Sequence, residues 1–396
     1  MTTVDSSEQV HTETLALAKR LIACRSITPD DGGSLAIVED RLRARGFTCE
    51  RIDRGGVSNL WARLGQGQPL VCFAGHVDVV PTGPEEQWSA PPFAAAERDG
   101  WLIGRGAADM KASVAAIVTA AERLARSTSA DESAGGGRGH GTGSIAVLLT
   151  SDEEGDALHG TAAVVDALRA RQLTIDYCIV GEPTSSVRFG DTLKNGRRGS
   201  LNLVLHIAGV QGHVAYPERA RNPIHLAVPA LTELCATEWD RGDGNFGPTT
   251  FQISNIQAGT GAPNVVPGRL TVQGNFRFSP AVSAAELQER VGHVLDKHAL
   301  EYEIAWTVSA SPFVTPAGTL VRVMRDVVSA STGVTPEVST SGGTSDGRFL
   351  ATIAREVVEF GPLNDTIHKI DERVAIADLG PLSLIYERTA RALLGA

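Results

Sequence analysis

Aromatic side chains make up only 5% of the 396 residues, so the core must rest mainly on Ala, Val, Leu and Ile. A basic excess is also missing: 36 Lys and Arg stand against 46 Asp and Glu, a formal net charge of −10. Without a positive stripe a nucleic-acid partner is disfavoured, and an anionic substrate must be met by arginines gathered locally. Cys24, Cys49, Cys72, Cys178 and Cys235 are odd in number and scattered. That pattern excludes a disulfide framework and a Cys-rich zinc site, and suits small buried hydrophobes in a reducing compartment. No apolar run reaches the roughly 20 residues that span a bilayer, and residues 1–13 are polar without a signal core. A cytoplasmic protein with a small-molecule partner and no membrane contact is expected.

What is present is ordinary globular composition, 42% hydrophobic and 21% charged, with length for two domains of about 150–200 residues each. Residues 7–23 carry Val10, Leu15, Leu17, Ala18, Leu21 and Ile22 at helical spacing. Ser34 is placed to cap a second helix and Gly46 to stop it. Short apolar runs at 48–52, 59–64, 70–74, 144–150 and 177–180 read as strands, with helices over 112–125 and 161–170. Residues 88–101 are a Pro-rich loop, and the Ser/Gly-rich stretch 127–143 reads as a surface loop in which His140 is incidental. Strand and helix alternating in this way predict an α/β domain with a largely parallel sheet. From residue 192 the texture changes to alternating strands at 199–208, 250–257, 269–278 and 302–308. Helices over 222–240 and 283–298 lie among them, the second with Ser283 and Glu286 in a capping box. The expected organisation is one domain made of 1–186 and 308–396, interrupted by an α+β insertion over 187–307.

Polar residues then fall at strand ends or in the turns after them. The run 69–81 ends in Gly75-His76-Val77-Asp78, and alternate residues of a strand share a face, which suits a metal-binding imidazole steered by a carboxylate. Alone, that pair is as readily an ordinary hydrogen-bonded His and Asp. Asp109, Glu153-Glu154, Glu182 and His368 occupy comparable positions, and loops at the carboxyl ends of an open α/β sheet converge on one crevice. Carboxylates gathered there repel one another unless a cation holds them. His76, Asp109, Glu154, Glu182 and His368 total a charge of −3, too many ligands for one catalytic zinc, which takes about three from the protein. Two zincs with Asp109 and a hydroxide bridging balance that charge, in the manner of sites whose ions lie ~3.5–4 Å apart. Glu153 is left as the spare carboxylate, a general base.

Gly75-His76-Val77-Asp78-Val79-Val80-Pro81, Gly106-Ala107-Ala108-Asp109-Met110-Lys111, Ser151-Asp152-Glu153-Glu154-Gly155 and Gly181-Glu182-Pro183-Thr184 resemble the signatures of the M20 family of co-catalytic zinc aminoacylases and carboxypeptidases. With His368 the resemblance covers essentially the whole chain. It implies a zinc-peptidase-like catalytic domain, and for the insertion a ferredoxin-like dimerisation domain giving a homodimer. It implies His76 and Glu182 on one zinc, Glu154 and His368 on the other, Asp109 bridging, Asp78 orienting His76 and Glu153 as base. Cobalt or manganese can substitute, and a cis peptide follows the bridging Asp. The stretches 194–200, 209–217 and 341–349 resemble one branch of this family, amide hydrolases whose substrate carries several carboxylates. That narrower resemblance implies Arg197, Arg198 and Arg277 as carboxylate-gripping groups. Ser200, Tyr216, Asn264, Gly343, Thr344 and Asn364 would complete the pocket. His213 would stabilise the oxyanion across a dimer, its other reading being a turn histidine. The alternatives are a deacylase of the same family with another acyl group, and a metal-stabilised binding protein without turnover.

Overall fold

In the computed structural model the described residues are 6–133 and 143–395, with the backbone alone for 127–133. The chain divides into two compact units. One comprises Met1–Gly196, Thr315–Ser339 and Ser345–Ala396; the other comprises Arg197–Val314 and Thr340–Thr344. The smaller unit starts ten residues beyond the expected 187 because Thr192–Lys194 is a strand of the larger unit's sheet, paired in parallel with Glu337–Ser339.

That sheet has eight strands, in the spatial order Thr48–Arg51, Asn59–Leu64, Ser144–Thr150, Leu70–His76, Ile175–Val180, Ala354–Glu359, Thr192–Lys194 and Glu337–Ser339. The four strands from Ser144–Thr150 to Ala354–Glu359 run parallel to one another. Ser144–Thr150 and Leu70–His76 are buried at every position, as strands covered on both faces must be. Because these strands are parallel and adjacent, their carboxyl ends lie along one edge, and four different loops leave from it.

The helices Ser7–Ile22, Ala112–Ser133 and Ile376–Leu394 pack on one another. Ala112, Ala115, Ala116, Ala120 and Ala121 are fully buried, small side chains that let the Ala112–Ser133 helix sit deep in the core. Its backbone stays helical through 127–133, where a loop was expected, since the glycines that break helices begin only at Gly135. The rest of that stretch, with His140, lies outside the described residues. Ser34 does not cap its helix: Gly33 holds the cap position at φ 84°, and the Asp31 carboxylate accepts the Leu35 N–H at 3.1 Å. Gly46 ends the following turn at φ 84°, in the left-handed region as expected.

The smaller unit is a β-α-β-β-α-β arrangement. Its antiparallel sheet runs Thr250–Ala258, Arg269–Phe278, Gly199–Ala208 and Tyr302–Ala310, backed by the helices Pro223–Ala236 and Ala284–Lys297. This strand order is ferredoxin-like. The Ser283–Glu286 capping box is formed in both directions, Glu286 N–H to Ser283 Oγ at 3.2 Å and Ser283 N–H to Glu286 Oε2 at 2.7 Å. Its core gathers Leu201, Leu203, Leu205, Val272, Leu287 and Val291 with Trp239, Phe251 and Phe276. Trp239 and Phe276 meet edge to face, their centroids 4.7 Å apart.

Candidate metal centre

The loops at the parallel edge bring five side chains of the larger unit together. His76 ends the Leu70–His76 strand; Glu154 follows Ser144–Thr150, Glu182 follows Ile175–Val180, and His368 follows Ala354–Glu359. Asp109 comes from the turn 107–111, whose Asp109–Met110 peptide is cis. His76 Nε2 lies 3.1 Å from Asp109 Oδ1 and 3.8 Å from Glu182 Oε1. His368 Nε2 lies 3.0 Å from Glu154 Oε1 and 3.5 Å from Asp109 Oδ2. The two oxygens of Asp109 therefore face different imidazoles. His76, Asp109 and Glu182 form one trio and Asp109, Glu154 and His368 another, the ligand atoms within each lying no more than 4.8 Å apart. His76, Glu153 and Glu154 form a third such group.

Two groups of one residue, Asp78, fix the ring of His76. Its Nδ1 is 2.9 Å from the Asp78 backbone carbonyl and 3.6 Å from the Asp78 carboxylate. A bond from Nδ1–H to a carbonyl leaves the Nε2 lone pair facing Asp109 and Glu182, as ligation requires. The Asp78 carboxylate does something the sequence did not suggest: it accepts the N–H of Glu153 at 3.3 Å and of Glu154 at 3.1 Å. One buried aspartate so positions both a histidine and the acidic turn.

Close packing around Asp109 also explains two glycines. A Cβ on Gly75 would strike the Met110 methyl group and sulfur, and one on Gly181 the Met110 methyl group and Ser113 Cβ, so a larger residue before His76 or Glu182 would have to displace the Met110 side chain. The Met110 sulfur meanwhile accepts the His76 N–H at 3.4 Å.

Electrostatics in the cluster reflect crowded acids. Burial raises the Glu153 carboxyl well above its ordinary range, with Glu182 pushing the same way. Among the described residues its carboxyl has no hydrogen-bond partner, whereas Glu154 is bonded to His368. Hydrogen bonds to Asp109 and Glu154 lift His368 to about 10. Burial alone would lower His76, yet its bond to Asp109 and the charges of Asp109, Glu182 and Asp78 hold it well above its ordinary value. Asp346 is buried near this edge, and burial brings its carboxyl to about 6 against the pull of Arg348. Acids this crowded and buried are costly without a counter-cation. The donor set, imidazole nitrogens and carboxylate oxygens in two trios sharing one Asp, fits a pair of divalent metals.

The remaining candidates lie mostly in the smaller unit, and some already have partners. Arg197 Nη1 donates to the carbonyls of Ser341 at 3.3 Å and Gly343 at 3.2 Å. Ser200 Oγ accepts from Asn275, and Ser200 is directly opposite Arg277 across the strand pair. Burial lowers Arg277, and the positive charge of Arg198 lowers it further; among the described residues the buried Arg198 Nε has no hydrogen-bond partner. His213 pairs with Val265 across a short ribbon, and the Val214 N–H donates to the Asn264 carbonyl at 3.1 Å. Tyr216 stands edge-on to His213 and is 52% exposed. Thr344 is half-buried and Gly343 exposed. In the larger unit the Asn364 N–H donates to the Ser185 carbonyl at 3.0 Å, tying the loop before His368 to the one after Glu182.

The sequence profile of Peptidase family M20/M25/M40 matches residues 72–392. The succinyl-diaminopimelate desuccinylase of Thiobacillus denitrificans is 57% identical over 384 residues, 97% of this chain and 95% of that relative. That of Bordetella petrii is 57% identical over 380 residues, 96% of this chain and 97% of its own. Among solved structures, an M20 metallo-carboxypeptidase from Sulfolobus solfataricus matches with TM-score 0.77 at 18% identity, covering 97% of this chain and 100% of its own. A dinuclear metal-binding M20 peptidase from Bacillus subtilis matches with TM-score 0.73 at 16% identity, covering 98% and 99%. These two likenesses concern the fold.

Proposed function

The chain belongs to Peptidase family M20/M25/M40, and from that premise we propose that it is a metal-dependent amide hydrolase cleaving N-succinyl-LL-2,6-diaminopimelate to succinate and LL-2,6-diaminopimelate, a lysine and cell-wall precursor. The observation that carries the chemistry is Asp109, with one oxygen toward each of two histidines. The choice of substrate is supported by whole-length identity to desuccinylases and by Arg277, which lies opposite Ser200 across the strand pair.

In this reading His76, Asp109 and Glu182 hold one zinc and Asp109, Glu154 and His368 the other, with cobalt or manganese able to substitute. When bound, such ions supply Lewis acidity at the amide carbonyl and lower the pKa of water. Glu153 takes a proton from the attacking water as its oxygen bonds to the carbonyl carbon. It returns that proton to the amide nitrogen as the C–N bond breaks, releasing the amine. A carboxyl raised by burial is suited to both steps. Asp78 keeps His76 and the Glu153-Glu154 turn in place. His213 is the proposed oxyanion donor. Arg277 and Arg198 grip substrate carboxylates, with Arg197, Ser200, Tyr216, Asn264, Gly343, Thr344 and Asn364 completing recognition. We read the smaller unit as the homodimerisation domain, its exposed Ile224 and Val228 lying on the Pro223–Ala236 helix. No described helix is long and apolar enough to cross a membrane, and cytoplasmic placement is the proposed location.

Metal analysis with a paired assay tests the reading. Two divalent ions per chain and turnover of the succinyl-diaminopimelate substrate in preference to acetylornithine are expected; the opposite preference would transfer the protein to another branch of the family.

A further inference from the structure

Glu372 belongs to none of the motifs, yet it is fully buried and its carboxylate is saturated. Oε2 accepts from Arg105 Nη1 at 2.9 Å and from the Gly106 N–H at 2.9 Å. Oε1 accepts from the N–H groups of Ala108 and Asp109, both at 3.0 Å. Four donors fill the four lone-pair positions of a carboxylate. The Glu372 carbonyl also accepts the Gly104 N–H at 2.9 Å. Arg105, itself 2% exposed, extends the same frame: it donates to the Lys369 carbonyl at 3.1 Å and the Thr82 carbonyl at 3.4 Å, and it lies over the Trp88 ring. The segment after His368 is thus knitted to the turn that presents Asp109. His368 itself sits at φ 60°, a left-handed conformation that a non-glycine residue holds only when its surroundings enforce it.

We propose that Glu372, aided by Arg105, is a positioning residue that locks the turn bearing Asp109 to the loop bearing His368, and so sets how tightly the cluster holds its metals. The proposal rests on reading the cluster as a metal centre. A purely structural role is the competing account, since buried ion pairs are often no better for stability than apolar packing. What favours positioning is the choice of donors: one of the four is the backbone N–H of Asp109 itself. Partners that orient metal ligands typically contribute 10–100-fold in affinity.

The test is zinc affinity of the full chain, measured by chelator competition, for Glu372→Gln, Arg105→Lys and Glu387→Gln. Gln at 372 keeps the shape, but its NH2 must face two donors whichever way it turns. Lys at 105 keeps the charge and leaves the three backbone bonds to Glu372 intact. Glu387 pairs with Arg123 between the helices Ala112–Ser133 and Ile376–Leu394, away from the metal loops, and controls for losing a buried ion pair. We expect about a 10–100-fold loss for E372Q, a smaller loss for R105K and none for E387Q, with the activity of E372Q recovering as zinc is raised. E372Q and R105K binding as tightly as wild type, or E387Q weakening equally, overturns the proposal. Should E372Q fail to fold, R105K against E387Q decides. A wild-type chain that binds no metal removes the metal reading itself.

Discussion

The two units differ in how they hold several of the side chains proposed for function. In the larger, His76, Asp78, Asp109 and Glu182 are buried, and the backbone on either side of them is tied by side chains from distant loops. In the smaller, His213, Tyr216 and Asn264 stand on an exposed ribbon joined by few bonds. Chemistry needs atoms fixed before the substrate arrives, because a misplacement of about 1 Å can cost roughly 10²-fold in rate. Recognition of a flexible, multiply charged molecule tolerates side chains that settle on binding. The contrast predicts where mutations act: on turnover and metal binding in the larger unit, on substrate affinity in the smaller.

The largest effect should follow Glu153→Gln. Removing the group that moves the proton, while leaving the ligands in place, should cost about 10²–10⁴ in kcat with metal content unchanged. Near-normal turnover by this variant would remove Glu153 from the mechanism and with it the sharpest distinction between the units.

Next is Phe276→Ala, which opens the ring cluster with Trp239 and Phe251 in the smaller unit. Such truncations cost about 3–5 kcal/mol. If the two cores are energetically separate, chemical denaturation should show the smaller unit melting early while zinc affinity, measured before that transition, is kept. A parallel loss of metal would show that the units fold as one, and the comparison would fail.

Arg277→Met addresses recognition. Losing a hydrogen bond to a charged group is worth about 1.5–3 kcal/mol, or about 10–10²-fold in KM, with kcat little changed. A fall in kcat at unchanged KM would place this arginine with the chemistry instead.

Much of the five-residue grouping at the parallel edge was legible because His76, Glu154 and Glu182 each sit next to a punctuating glycine, and Asp109 and His368 in turns after apolar strands. The Ser283–Glu286 box and the four strands of the smaller unit were equally plain, since period-2 alternation and a capping signature are local. What was not legible depended on partners far away in sequence. Glu372 reads as one acid in a polar loop until the chain brings it to Asp109, 263 positions earlier. Asp78 was expected to steer His76 with its carboxylate; its carbonyl is nearer the ring, and the carboxylate serves the Glu153-Glu154 turn. Thr192–Lys194 is too short to show any period, which displaced the boundary of the insertion.

The smallest expected effect concerns pH, and it too separates the units. In the smaller unit Asp240 is held below its ordinary value: burial opposes, but the N–H groups of Thr249 and Gly242 prevail. Its stabilisation is present above the unfolded pKa and is lost as pH falls through the folded one. Asp378 in the larger unit is the reverse: burial alone raises its carboxyl to about 6. The folded state therefore binds a proton that the unfolded chain, with an Asp pKa of about 3.9, has already released between pH 4 and 6. Stability from this group is fully present below about pH 4 and declines as pH rises through about 6. Two pKa units would set a ceiling near 3 kcal/mol; the partial exposure of Asp378 and its place in the first turn of a helix reduce the expectation to about 1 kcal/mol. Asp378→Asn should accordingly stabilise the metal-free protein at pH 8 and change nothing at pH 4, while Asp240→Asn should destabilise it at pH 8. Denaturant midpoints at the two pH values check both signs, and a gain for Asp240→Asn at pH 8 would show that burial, not hydrogen bonding, governs the acids of both units alike.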